Sequence, residues 1–280
     1  RRLRGVGETT THPRRLLREN PDGDASSRRV APKPLIGMKA MILAAGRGER
    51  LRPLTDRVPK PMIPIAGRPL LEHVVQLLRT HGFDDLVINL HHLPEAIKDH
   101  FGDGDRFGVR LRYADEPRLL GTAGAVRDVA RSGFFEDEDF LVYYGDNLIN
   151  ADLSALWAEH RVRKAAATIG LVWMPDPGDR GIVGLTQDAR IDRLIEKPLP
   201  DQVFEDYLIN AGVYVLGSTV VAAIPPQGTP DFATHVFPAM LQDGAPLVGH
   251  RLQGQLLSTD TPQRYQATCE QVADGHFQLP

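Results

Sequence analysis

At 280 residues the chain can bury one large hydrophobic core or two modest ones. Its 42% hydrophobic and 25% charged content suits a globular protein, no apolar run nears the ~20 residues that cross a bilayer, and the single Cys269 excludes an internal disulfide or a multi-cysteine metal site. The net charge of −3 gives no electrostatic footprint for nucleic acid, and a reducing cytoplasm without a membrane anchor is the expected setting.

Residues 1–37 hold nine basic and four acidic side chains, about +5, against 24 basic and 32 acidic in the remainder, about −8. Pro13, Pro21, Pro32 and Pro34 and a weak apolar pattern predict a largely disordered basic extension there, with the folded domain over 38–280. No apolar segment follows the N-terminal arginines, so no secretory signal is expected. The apolar run 38–45 predicts a buried strand that breaks into Gly46-Arg47-Gly48, where missing Cβ atoms let backbone N–H groups approach a ligand. Arg50 follows at once, and Lys60 lies between Pro59 and Pro61; five arginines and a lysine fall between Arg47 and Arg68. Glycines, an arginine fork and a lysine point charge together suit a polyphosphate. This is not a Walker loop, because no Gly-Lys-Ser/Thr follows, and the third glycine of a dinucleotide fingerprint is missing.

Beyond it, Leu70, Val74, Leu77 and Leu78 have helical spacing, 85–90 predicts a strand, 94–101 a helix with proline in its first turn, and 109–114 a half-buried strand. His91-His92 reads as a loop pair and Gly102-Asp103-Gly104-Asp105 as a polar turn, since neither has the further ligands of a metal site. Asp115-Glu116 precedes Leu120-Gly121-Thr122-Ala123-Gly124, a tight entry into a helix reaching about Ala130. The apolar strand 140–144 ends in Gly145-Asp146-Asn147, which puts a carboxylate where open α/β sheets bind ligands. An amphipathic helix over 152–163 follows, then strands at 166–173, 181–185, 191–195 and 208–216. This alternation predicts an α/β domain with a mostly parallel sheet.

The string Leu43-Ala44-Ala45-Gly46-x-Gly48-x-Arg50-Leu51-x-Pro53-Leu54-Thr55 with Pro59-Lys60-Pro61 resembles the signature of the sugar-1-phosphate nucleotidyltransferases, or NDP-sugar pyrophosphorylases. The Leu-Gly-Thr-Ala-Gly string at 120–124 is similar to that of the mannose-1-phosphate guanylyltransferases among them, and the likeness runs from 38 to about 272. The resemblance implies a doubly wound, Rossmann-like sheet whose extra strands form a sugar-binding half. It also implies Mg2+ as cofactor and an NTP and a sugar 1-phosphate as partners, and the oligomeric state stays open, a homo-oligomer included. Residue by residue it implies Arg50 on the triphosphate and departing pyrophosphate, Lys60 on the reacting phosphates, Asp146 on magnesium and Lys197 on the sugar phosphate. Leu43, Ala45, Gly46, Gly48 and Gly121 would border the nucleotide, Glu116 the base edge, and Gly181, Glu196 and Asn210 the sugar.

A carboxylate at Glu116 accepts the adjacent N1–H and N2–H₂ donors of guanine and repels the carbonyls flanking the N–H of uracil or thymine, which favours GTP. Uridylyl or thymidylyl transfer to glucose 1-phosphate is the alternative, with a heptose or other hexose as further acceptors. A catalytically silent sugar-nucleotide-binding relative is another, although Arg50, Lys60 and Asp146 are all present. Transfer to a non-sugar alcohol phosphate is opposed by Glu196-Lys197-Pro198 and Asn210-Ala211-Gly212. One departure stands out. The family closes with Asp-x-Gly-Thr-Pro, whose aspartate is the second magnesium ligand, whereas this chain reads Ser258-Thr259-Asp260-Thr261-Pro262. Either Asp260 reaches the metal from two residues on, which is the expectation, or Ser258 and water take its place.

Overall fold

A computed structural model describes residues 37–175, 180–196 and 208–280. The chain divides into two units, Arg1–Lys33 and Pro34–Pro280, and the described residues all belong to the second. The basic extension expected over 1–37 lies outside the described residues apart from Gly37, and so does Lys197.

In order, the strands and helices are β1 (Met38–Leu43), β2 (Pro64–Ile65), β3 (Arg68–Pro69), α1 (Leu70–Thr80), β4 (Phe83–Leu90), α2 (Pro94–Phe101), β5 (Arg110–Asp115), α3 (Thr122–Arg131), β6 (Phe140–Tyr144), β7 (Asn147–Ile149) and α4 (Leu153–Arg163). Then come β8 (Ala167–Trp173), β9 (Ile182–Leu185), β10 (Ile191–Ile195), β11 (Leu208–Leu216), α5 (Val220–Ala223), a π-helical turn (Phe232–Val236), α6 (Phe237–Gln242), β12 (Leu247–Arg251), β13 (Leu256–Ser258) and α7 (Pro262–Ala273). The helix expected at 152–163 starts with Asp152 as its cap, whose carboxylate accepts from the Ser154 and Ala155 N–H groups.

Among the described residues, nine strands make the main sheet along β10-β9-β11-β6-β1-β4-β5, with β8 on β11 and β12 on β8. Strands β6, β1, β4 and β5 run parallel, as expected. Antiparallel pairing enters with the extra strands, where β11 joins β6, β8 and β9. The inner parallel strands β1, β4 and β6 read as largely apolar runs because both faces are covered, while β5 at the edge alternates polar and apolar residues. Along β1, Ala40 and Ile42 face one core with α1, α2 and α4, while Met41 faces the other with α3 and α6. No helix among the described residues is long and apolar enough to cross a membrane.

Two features of this wiring place the site. From β1 the chain winds outward through β4 to β5, then returns to lay β6 on the other side of β1. The carboxyl ends of β1 and β6 therefore flank the crevice where the winding reverses, the favoured ligand position in such sheets. The second feature is a break in β11. Gly212 adopts φ +72°, and the register against β8 shifts between Asn210 and Tyr214. On the N-terminal side of this bulge β11 is not paired with β6 and meets β9 at Ile209 instead, so the sheet opens beside Tyr144, the last residue of β6.

Candidate active site

The crevice holds two cavities that share a wall. The first, of about 320 Å³, is lined by Leu43, Ala45, Gly46, Lys60, Glu116 and Gly121, among others. The second, of about 510 Å³, is lined by Arg50, Gly181, Glu196, Asn210, Asp260 and Arg264, among others. Tyr144 and Asp146 line both. Most residues expected around the nucleotide line the first, nucleotide-side cavity, and the described residues expected around the sugar line the second, sugar-side cavity; Arg50, expected on the triphosphate, lines the second instead.

The nucleotide side is built by short backbone links from strand ends. Gly145 N–H donates to the Leu43 carbonyl at 2.9 Å, tying the loop after β6 to the end of β1 and setting Asp146 beside Ala44-Ala45-Gly46. Nothing lies within 4 Å of where a Gly46 Cβ would project, so the backbone there faces open space on the cavity side. Gly48 serves differently. At φ +63° an added Cβ would meet Thr55 Cγ2 at 2.9 Å and Lys60 Cβ at 3.0 Å, so its bare Cα makes room for the lysine stem, and it does not line the cavity. The buried Lys60 donates to Asp146 Oδ2 at 2.7 Å.

Glu116 is buried, and a residue passed over in the sequence holds it there. Asn89, near the end of β4, accepts from Ala44 N–H at 2.8 Å and donates to Glu116 Oε1 at 2.7 Å, while Leu120 N–H donates to Oε2 at 3.0 Å. Burial pushes the Glu116 carboxyl up, and the Asn89 and Leu120 donors only partly offset this. A polar residue inside the apolar run Val87–Leu90 was the available signal for Asn89. Gly121, at φ +77°, packs so tightly on the distant Thr229-Pro230 segment that a Cβ would sit 2.5 Å from the Pro230 carbonyl oxygen. That segment is tied down by the Thr122 hydroxyl, which donates to Asp231 Oδ2 at 2.7 Å. Asp231 lines the sugar-side cavity, so this bond joins the two walls.

On the sugar side, Asn210 spans the β11 bulge. Its Oδ1 accepts from Gly212 N–H at 2.9 Å and its Nδ2 donates to the Tyr214 hydroxyl at 2.8 Å. A Cβ on Gly181 would collide with the Glu196 carboxylate, so backbone and acid lie side by side. Pairing of β13 with β7 sets Ser258 opposite Asn147 and brings the C-terminal motif next to Asp146, where the Thr259 hydroxyl donates to the Asp146 carbonyl at 3.1 Å. Asp260 Oδ1 accepts from the Ser258 hydroxyl at 2.6 Å and from Arg264 Nη1 at 3.2 Å. Its Oδ2 lies 3.0 Å from both Arg264 Nη1 and Arg50 Nη2. Burial pushes the Asp260 carboxyl up, but the Ser258 hydroxyl and the Arg264 and Arg50 guanidiniums outweigh it and hold it at about 2.

The donor set can be tested against magnesium. Among the described residues no three His, Cys, Asp or Glu side chains converge as a protein-only metal cage. Magnesium typically takes one or two carboxylates and completes its shell with phosphate oxygens and water. Asp146, with its side chain 38% exposed at the junction of both cavities, fits that pattern. Asp260 carries two guanidiniums and fits it poorly.

Comparison with known proteins agrees with this architecture. The profile of the nucleotidyl transferase family matches residues 39–256. A UTP–glucose-1-phosphate uridylyltransferase from Synechocystis sp. is 38% identical over 220 residues, 75% of this chain and 56% of that protein. A mannose-1-phosphate guanylyltransferase from Mycobacterium tuberculosis is 36% identical over 208 residues, 73% of this chain and 56% of that protein. The chain therefore spans little more than half the length of these relatives. Among solved structures, UDP-glucose pyrophosphorylase from Acinetobacter baumannii shares the fold at a TM-score of 0.74 and 24% identity, covering 86% of this chain and 95% of that one. HddC from Yersinia pseudotuberculosis does so at 0.72 and 22%, covering 84% and 99%. With its signature at the crevice and the profile running through both halves of the sheet, the chain belongs to the nucleotidyl transferase family.

Proposed function

We propose that the chain transfers a nucleotidyl group from an NTP, GTP first, to a sugar 1-phosphate, mannose 1-phosphate or a related hexose or heptose. The observation that carries this reading is the shared wall: Asp146 and its partner Lys60 stand where a nucleotide-side cavity meets a sugar-side one. A sugar-phosphate oxygen, already anionic at neutral pH, attacks the α-phosphorus in line. The new P–O bond forms as the α–β bridging P–O bond breaks, and the electron pair leaves with pyrophosphate. No general base is needed, so catalysis is alignment and charge neutralisation.

Lys60 would neutralise the reacting phosphates, Arg50 the departing pyrophosphate and Lys197 the incoming sugar phosphate. Asp146 would hold Mg2+, which adds positive charge at the α-phosphate. The Glu116 carboxylate, fixed by Asn89 and Leu120, supports a base edge with two adjacent donors, hence guanine. A second reading, UTP with glucose 1-phosphate, is favoured by the 38% identity to the Synechocystis uridylyltransferase. The lone cysteine supports a reducing, cytoplasmic setting.

Pyrophosphate release measured for GTP, UTP, dTTP and ATP against a panel of sugar 1-phosphates tests the proposal. The highest rate is expected with GTP and mannose 1-phosphate. Absence of release with every pair refutes transfer.

A further inference from the structure

Asp260 is where this chain leaves its family's closing motif, and its contacts define another task. A carboxylate offers about four lone-pair sites on its two oxygens. Four contacts meet them here: Ser258 Oγ and Arg264 Nη1 at Oδ1, and Arg264 Nη1 and Arg50 Nη2 at Oδ2. Two guanidiniums within 3.2 Å of the group also repel a dication. We infer that Asp260 is a positioning residue and not a metal ligand: it locks Arg50 and Arg264 side by side on the wall of the sugar-side cavity, where Arg264 is a further phosphate-binding residue.

The charge and the scaffold agree with this. Among the described residues, Arg50 and Arg264 are two of the three guanidiniums on a wall that also holds Arg180 and the carboxylates of Asp146, Glu196, Asp231 and Asp260, so a phosphate entering there depends on how those cations are placed. Arg50 rises from a short 3₁₀ turn, Glu49–Leu51, and its side chain is 62% exposed; among the described residues its ion pair is with the Asp260 carboxylate, which sets its direction. Arg264 stands on the first turn of α7, fixed by the Thr261 cap, so the clamp ties the signature loop to an element more than 200 residues away. A planar guanidinium suits phosphate better than a lysine would. This inference rests on the transfer reading for the identity of its anion.

The test uses inorganic pyrophosphate in EDTA, titrated calorimetrically into the full chain, so neither turnover nor metal is involved. Arg264→Met should weaken binding about tenfold and Arg264→Lys only about threefold, because the lysine keeps the charge and loses the fork. Asp260→Asn removes a negative charge, which alone would tighten anion binding; loss of the clamp should instead weaken it about threefold or more. The double variant should bind no worse than Arg264→Met, since the two act as one unit. In turnover, Asp260→Asn should keep its Mg2+ midpoint within about twofold of the parent. Unchanged or tighter pyrophosphate binding in either single variant overturns the inference, as does a magnesium midpoint raised about tenfold with activity restored by excess metal. If Asp260→Asn does not fold, the Arg264→Met and Arg264→Lys titrations decide alone. A parent enzyme inactive with every substrate pair refutes the transfer reading, while the calorimetry still decides the clamp.

Discussion

Replacing Lys60 by methionine separates chemistry from folding. The lysine stem is buried beneath the signature loop, so methionine keeps most of its packing and deletes the charge. Its partner Asp146 keeps water access, with 38% of its side chain exposed, so the orphaned carboxylate should cost about 1 kcal/mol of stability. For a folded unit of this size that lowers Tm by about 2–4 °C. The chemical loss is larger. Removing one preorganised positive charge from the reacting phosphates costs about 3–4 kcal/mol of transition-state stabilisation, or about 10²–10³ in kcat/KM. A pyrophosphate-release assay alongside a thermal melt reads both numbers. Activity within about threefold of the parent would remove Lys60 from the reaction. A Tm loss beyond about 8 °C would show that the ion pair carries the fold, contrary to its exposure.

Three further outcomes follow from the geometry. Gly121→Ala forces a Cβ to 2.5 Å from the Pro230 oxygen at φ +77°, so it should cost more than about 2 kcal/mol and at least about 4 °C in Tm; a neutral variant would show that the α3 entry tolerates movement. Asp260 is held at about 2, below its unfolded value of about 3.9, and so contributes roughly 2 kcal/mol that is present above pH ~5 and lost as pH falls toward 2. Urea melts should therefore show a gap between the parent and Asp260→Asn that is constant from about pH 8 to 5 and narrows from about pH 4 to 2; the same gap at pH 3 as at pH 7 contradicts the assignment. Glu116→Gln should raise the use of UTP relative to GTP, because an amide donates to a pyrimidine carbonyl as well as accepting. A parent enzyme that uses both equally sinks the guanine argument.

Regular periodicity made the doubly wound half legible. The runs at β1, β4 and β6 are apolar because they are covered on both faces, and the helical spacing of Leu70, Val74, Leu77 and Leu78 is the buried face of α1. Residues at strand ends were legible for the same reason, since glycines and a carboxylate that follow apolar runs fall at the crevice. The closing segment was not. Strands β7 and β13 are three residues each, too short to show a period, yet their pairing carries Ser258 and Asp260 to Asp146. Strand β12 joins β8 in parallel across a long separation that no local pattern announces. Nor could spacing show that the partners of Asp260 are Arg50 and Arg264, or that Asn89 spends its amide on Ala44 and Glu116. The bulge that frees β11 from β6 was visible only as the glycine of Asn-Ala-Gly, where a continuous strand over 208–216 was expected.

The central claim, attack of a sugar phosphate on an α-phosphorus in the crevice between β1 and β6, is tested most directly by ³¹P NMR. The chain would be incubated with GTP, mannose 1-phosphate and Mg2+, and the run repeated with UTP and glucose 1-phosphate. The account predicts that the triphosphate and phosphomonoester signals of one pair decline together, while pyrophosphate and a sugar-linked diphosphate grow in equal amounts. Release of inorganic phosphate, or nucleotide consumption without loss of the sugar phosphate, would contradict it.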